Sequence, residues 1–228
     1  MCGVLGIAIK EPEENDFELV RTLFIQSMIR GKHATGVSYV KNNKVHTIKE
    51  PVDANKFINN QNIPSWVNED GNLYCIGHVR YSTSDLRYNQ PMATEELSIV
   101  HNGVISQEPP EQWADLFGYK TETRNDSELI LRCLENNEIP LHKFVPSSMS
   151  VCTIDKNKII TAFRNEARPL HKHFSSKKII FASTGDILKR SKLIEAGNAP
   201  MYEVFTVDNF NVTAYNRYHM NNLVEDLQ

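Results

Sequence analysis

The chain begins MCGVLGIAIK, with a cysteine directly behind the initiator methionine and an apolar run behind that. Methionine is generally trimmed when the next residue is small. Its removal would leave Cys2 carrying a thiol and a free α-amine on one carbon. An ordinary thiol is only a few per cent ionised at neutral pH. An α-amine titrates near 7.7–8.0 and serves as a base. An N-terminal cysteine therefore needs no separate histidine to activate it, as in threonine hydrolases that pair side chain and amine.

Three later stretches supply what an amide-cleaving thiol would use. In GHVRYST, Arg80 closes an apolar run; arginine holds a carboxylate bidentately, or is simply a solvated charge. In VHNG, the Asn102 side chain and a Gly103 backbone N–H can form an oxyanion hole, or an ordinary Asn-Gly turn. In RNDSELIL, Asp126 can pair with a substrate ammonium, or cap the helix behind it. Together these groups suit a zwitterionic amino acid, with a cation and an anion at its head and thiol and donors at its far end.

The elements that would position these groups are short and strand-rich. CGVLGIAI reads as a buried strand, followed by a helix opening at Asn15 with Glu18 three residues on and stopping near Gly31. GVSYVKNNKVHTI predicts two strands joined at Asn42-Asn43, and LYCIGHVRYS and LSIVHNG predict further strands. Ser127 to Asn136 predicts a helix, SMSVCTIDKNKIITAF a hairpin, and KKIIFAST a strand. Asp186 to Ala196 predicts a helix, and the MYEVFTVDNFNVTAY hairpin turns at Asp208-Asn209. NNQNIPSWVNEDGN is the most loop-like segment. Hairpin-linked strands with helices between groups imply an α+β layering of antiparallel sheets in one domain spanning 1–228.

Composition narrows the function classes. Apolar residues make up 40% and charged residues 23%, an ordinary soluble balance. The net charge of −3, with no basic stripe, speaks against nucleic acid as a partner. No apolar run approaches the ~18 residues of a membrane span, and no secretory signal precedes the first strand. Cys75, Cys133 and Cys152 sit in apolar surroundings without CxxC spacing, so they read as buried reduced thiols of a cytoplasmic protein. A papain-like pair needs an interior cysteine beside a histidine. His78 and His101 flank the candidate site and read as supports, not as bases. His171 and His173 share a strand face, but no third metal ligand is evident.

The combined pattern resembles the class II glutamine amidotransferases, which are N-terminal nucleophile hydrolases. The matching stretches are MCGVLGI, RGKHATG at 30–36, GHVRYST at 77–83, NQP at 89–91, HNG at 101–103, NDSE at 125–128 and AFRNEARPL at 162–170. They occur in family order over most of residues 2 to 190. RYST followed by NQP is most similar to the glutaminase domain of amidophosphoribosyltransferases; HNG and NDSE also occur in the glucosamine-6-phosphate synthase branch. The resemblance implies a four-layer αββα sandwich, glutamine as substrate, no cofactor and no metal. It implies that Cys2 forms a glutamyl thioester with its own α-amine as base and then acid. Asn102 and Gly103 would hold the oxyanion, Arg80 the α-carboxylate and Asp126 the α-ammonium. Tyr81 and Thr83 would join the substrate site, in a loop from Tyr81 to Tyr88 that closes over it. Arg30 and His101 would support the pocket.

Two departures stand out. His33 replaces the family's usual acidic or amide residue, and Ser84-Asp85 replaces small residues or His-Gly. Family members also carry a synthase domain behind the glutaminase, so ammonia delivery here implies a separate subunit. The neighbouring readings are hydrolysis of another γ-glutamyl amide, and a non-catalytic glutamine sensor on the same fold.

Overall fold

The computed structural model describes residues 1–82 and 86–216. Two six-stranded sheets, antiparallel throughout, pack face to face. The first has the order β3 (Lys44–Glu50), β2 (Ala34–Lys41), β4 (Leu73–Arg80), β1 (Gly3–Ile9), β10 (Lys178–Ala182) and β9 (His171–Phe174). The second has the order β12 (Asn211–Asn216), β11 (Glu203–Asp208), β8 (Ile160–Arg164), β7 (Ser148–Asp155), β6 (Leu97–Val104) and β5 (Met92–Ala93).

Side chains alternate across a pleated strand, and β1 shows the consequence. Val4 and Ala8 enter the core between the sheets with Tyr74, Ile76, Val100, Cys152 and Phe205. Leu5, Ile7 and Ile9 point the other way, into a second core under α1 (Glu14–Ser27), α2 (Ala54–Asn59) and α6 (Gly185–Arg190). A third core joins the outer face of the second sheet to α3 (Trp113–Phe117), α4 (Ser127–Glu135) and α5 (Pro140–Lys143). Three cores between four layers make the αββα sandwich. Both faces of β1 are covered, which is why its sequence is apolar at every position.

Several boundaries differ from the sequence expectation. Helix α1 opens one turn fraction earlier: Asp16, not Glu18, closes its cap, accepting the Glu13 backbone N–H at 3.0 Å. Asp16 also meets Lys178 at 2.7 Å, a tertiary partner invisible in local sequence. Helix α6 ends at Arg190 rather than Ala196, because Lys192 turns left-handed with φ of 59° and Glu195 folds back onto His171. The β11–β12 turn centres on Asn209 and Phe210, one residue later than expected, both at positive φ. Helix α2, which the sequence reading missed, is only 6 residues long; it is held by burying Ala54, Phe57 and Ile58. The Asn42-Asn43 hairpin forms as expected, both residues at φ of 52°.

Candidate active site

Strand ends from both sheets meet at one cleft, and most of the candidate residues line it. Gly3 pairs with Val79, so Cys2, just before β1, lies beside Arg80 at the end of β4. Across the cleft, β6 carries His101, Asn102 and Gly103 at its C-terminal end. Asp126 arrives on the loop that starts α4. Cys2, Arg80, Tyr81, His101, Gly103 and Asp126 all line one cleft of about 600 Å³, within the ~300–1,000 Å³ typical of small-molecule sites.

Cys2 is half-buried and free. Arg30 reaches it from the end of α1, its Nε donating to the Cys2 carbonyl at 3.3 Å. Burial lowers the Arg30 guanidinium, while a negative charge on Cys2 raises it, so the two groups sense each other. Gly31 is dictated by close approach: a Cβ there would lie 2.3 Å from the Arg80 carbonyl carbon. His33 follows and clamps the same strand end. Its backbone N–H donates to Arg80 O at 2.9 Å, and its Nδ1 accepts the Ser82 N–H at 2.8 Å. Its ring also lies on Tyr81, centroids 5.1 Å apart. The departure at His33 therefore keeps an acceptor where one is used.

Arg80 is buried, and its Nη1 donates to Tyr88 O at 3.0 Å and to Asn89 Oδ1 at 2.7 Å. The Tyr88 carbonyl also accepts from Asn125 Nδ2 at 2.8 Å, tying the NQP segment to the Asp126 loop. Tyr81 stands exposed at the cleft mouth. Thr83, Ser84 and Asp85 lie outside the described residues.

Asn102 is 2% exposed, and its Nδ2 has no hydrogen-bond partner among the described residues. A buried amide N–H without a partner carries a desolvation cost of about 1–3 kcal/mol, which a ligand oxygen would relieve. Gly103 is required sterically: a Cβ would fall 1.8 Å from Ser148 O and 2.5 Å from His101 Nε2.

His101 is enclosed by polar partners that fix its tautomer. Ser148 O lies 3.2 Å from Nε2 and can only accept, so Nε2 carries the proton. Nδ1 then accepts from the Ser127 hydroxyl at 2.9 Å, and that hydroxyl accepts from Gln90 Nε2 at 2.9 Å. Gln90 also bridges the His101 main chain, its Oε1 accepting the N–H at 2.6 Å and its Nε2 donating to the carbonyl at 3.0 Å. Burial holds the His101 pKa below its ordinary value, against the pull of Asp126. With both ring nitrogens engaged and the ring neutral, His101 positions β6 and is not placed to take a proton from Cys2.

Asp126 occupies the N-cap position of α4 without capping it through its side chain. Its Oδ2 instead accepts the N–H groups of Ile105 and Ser106 at 2.6 and 3.3 Å, and Asn125 Oδ1 takes the Ser127 N–H at 3.1 Å. The carboxylate is thus turned from its own helix toward the cleft wall. Gln90, Ser127 and Asn125 were not singled out from the sequence; NQP and NDSE carried the signal, but their partners are far apart in the chain.

The remaining cysteines are buried and free; burial raises Cys75 and Cys152 well above the ordinary thiol range and Cys133 to about 11. Among the described residues no His, Cys, Asp and Glu group could hold a metal ion, and His173 Nδ1 meets the Ile194 carbonyl at 2.7 Å. No helix among them is long and apolar enough to cross a membrane.

No protein-family model matches the chain. It is 31% identical over 139 residues to the glutamine–fructose-6-phosphate aminotransferase (isomerizing) of Bartonella henselae, covering 57% of this chain and 21% of that protein. The Bartonella quintana protein of the same name is 30% identical over the same span. The chain therefore matches about a fifth of the length of these curated relatives. Among solved structures, the glutamine phosphoribosylpyrophosphate amidotransferase of B. subtilis superposes with a TM-score of 0.71 at 17% identity, over 94% of this chain and 49% of that one. A glutamine aminotransferase class-II domain protein from Silicibacter pomeroyi gives a TM-score of 0.58 at 10% identity, over 95% and 99%. At such identities the structures speak for the fold alone, the four-layer αββα sandwich. The curated relatives and the shared fold together support reading this chain as a class II glutamine amidotransferase domain.

Proposed function

We propose that the chain, read as one such domain, hydrolyses the side-chain amide of glutamine through a thioester on Cys2. Removal of Met1 frees the α-amine, which takes the thiol proton as the sulfur attacks the carboxamide carbon. The tetrahedral oxyanion is held by Asn102 Nδ2 and the Gly103 N–H. The α-amine returns the proton to departing ammonia, and water then releases glutamate. Arg80 binds the α-carboxylate and Asp126 the α-ammonium, with Tyr81 and Thr83 completing the head-group site; no cofactor takes part. The observation that carries this reading is the buried, unpartnered Asn102 amide on β6, between His101 and Gly103, which line the cleft together with Cys2. The relatives are named aminotransferases and amidotransferases. In this reading the ammonia accordingly passes to a separate synthase chain, in the cytoplasm.

One observation favours a second substrate class. The cleft of about 600 Å³ is lined by Arg87, Glu108, Trp113 and Arg124 as well as the head-group residues, a space that takes a γ-glutamyl amide larger than glutamine.

The test is Cys2→Ser, assayed for ammonia release from glutamine and from γ-glutamyl amides with bulkier amines. Loss of nearly all turnover with an unchanged melting curve is expected. Normal turnover by the variant sinks the nucleophile assignment, and a preference for the bulkier amides in the native protein selects the second class.

A further inference from the structure

The core between the sheets changes character at its open end. On β4, Tyr74 and Ile76 belong to that core, and His78 follows on the same face. On β6, Val100 is followed by Asn102, and on β7, Cys152 is preceded by Ser150. Asn102 and Ser150 are direct cross-strand partners, which places their Cβ atoms ~4.5–5.5 Å apart. His78 pairs with Val4, two residues beyond Cys2, and its ring lies against the main chain of His101, next to Asn102. It lines the cleft together with Cys2.

These three side chains are 2%, 2% and 0% exposed. Among the described residues, His78 Nε2, Asn102 Nδ2 and Ser150 Oγ all lack hydrogen-bond partners. Buried polar atoms are almost always satisfied, and a buried water makes about three hydrogen bonds. The donors and acceptors match one water molecule: the Asn102 amide donates, while a neutral imidazole nitrogen and a hydroxyl can accept.

We infer that His78, Asn102 and Ser150 hold the water molecule that hydrolyses the Cys2 thioester. The inference rests on the glutaminase reading above for its chemistry, although the site stands on geometry alone. The water oxygen attacks the thioester carbonyl carbon and the carbon–sulfur bond breaks. As the water attacks, the hydrogen it gave the Ser150 hydroxyl turns to the Cys2 α-amine and passes on to the leaving thiolate, so the enzyme returns to its starting state as glutamate departs. Asn102 has two amide hydrogens, one for the oxyanion and one for the water. His78 orients the water and removes no proton itself, because burial keeps its ring neutral at working pH.

Two experiments test this. In a crystal structure of the native protein that resolves solvent, a water is expected within about 2.7–3.2 Å of His78 Nε2 and of Asn102 Nδ2 or Ser150 Oγ. A dry cluster, or three side chains bonded to each other, overturns the site whatever the enzyme's activity. In solution, His78→Phe is expected to slow thioester hydrolysis by about tenfold. Labelling of Cys2 by a diazoketone analogue of glutamine should keep its native rate. With hydroxylamine added, the ratio of γ-glutamyl hydroxamate to glutamate should rise, and His78→Gln should restore the native ratio. An unchanged ratio in His78→Phe, or loss of labelling and hydrolysis together, overturns the role of His78. If His78→Phe does not fold, Ser150→Ala carries the same partition test. Native protein that neither labels at Cys2 nor releases ammonia refutes the glutaminase reading and the hydrolytic role with it. The crystallographic result then judges the water site by itself.

Discussion

Replacing Gly103 by alanine tests the oxyanion role proposed for the end of β6 apart from the rest of the fold. The added Cβ would sit 1.8 Å from the Ser148 carbonyl oxygen on the neighbouring strand and 2.5 Å from His101 Nε2. A carbon–oxygen contact normally opens to ~3.3 Å, so β6 and β7 must separate locally by about 1.5 Å. The same carbonyl accepts the His101 ring N–H, so the shift also disturbs the residue that braces β6. Overpacking of this kind costs ~1–3 kcal/mol of stability, or a fall in Tm of ~2–12 °C for a chain of this size. The catalytic effect should be larger in proportion. Misplacing a catalytic group by 1 Å costs ~10²-fold, and removing one oxyanion donor ~10²–10³-fold. The expected result is a kcat for glutamine hydrolysis lowered ~10²–10³-fold in a protein that remains folded at the assay temperature. Gly71→Ala is the control: Gly71 has φ of 74° with nothing within 4 Å of the added carbon. It should lose ~1–2 kcal/mol to left-handed strain and keep full activity. Equal kcat in Gly103→Ala and native protein, or an equal loss in Gly71→Ala, refutes the assignment of the β6 end to the oxyanion.

Three further outcomes follow from the site. Asp126→Ala should raise KM for glutamine by ~10-fold or more, the worth of a charge-assisted hydrogen bond, and loosen the turn at Ile105 and Ser106; an unchanged KM leaves Asp126 holding the turn alone. His33→Ala removes the acceptor for the Ser82 N–H and should raise KM by up to ~10-fold, while His33→Asn, which retains an acceptor, should not; equal effects of the two variants contradict the clamp. Acid should destabilise the fold through His78, whose pKa burial lowers to about 3. The unfolded chain takes up that proton below ~6.5 and the folded chain does not, so this contribution is complete above ~6.5 and declines by ~1.4 kcal/mol per pH unit as pH falls toward about 3. Denaturation midpoints followed from neutral to mildly acidic pH should show a shallower decline in His78→Phe; parallel curves contradict it.

The sandwich was legible because its strands are buried on both faces, and uniformly apolar runs such as GVLGIAI mark that burial directly. The residues proposed for the chemistry stood out because Cys2, Arg80, Asn102 and Asp126 flank or interrupt apolar runs with groups of defined chemistry. What stayed hidden depends on partners distant in the chain. Asp126 reads locally as a helix cap, and only the Ile105 and Ser106 N–H groups, about twenty residues earlier, draw its carboxylate away. Asp16 displaced Glu18 in the first cap through Lys178, and α2 exists because its apolar side chains find α1 and the first sheet. His78 and Ser150 look like any polar residue in a strand until register sets Ser150 opposite Asn102 and the facing sheet sets His78 against the His101 main chain.

The central claim is that one residue supplies both sulfur and base. The intact mass of the purified, active protein tests it most directly, read before and after reaction with a diazoketone analogue of glutamine. The account expects a chain lighter than the translated sequence by one methionine residue, with the label on Cys2. Full activity from protein that retains Met1, its Cys2 nitrogen locked in an amide, would contradict it.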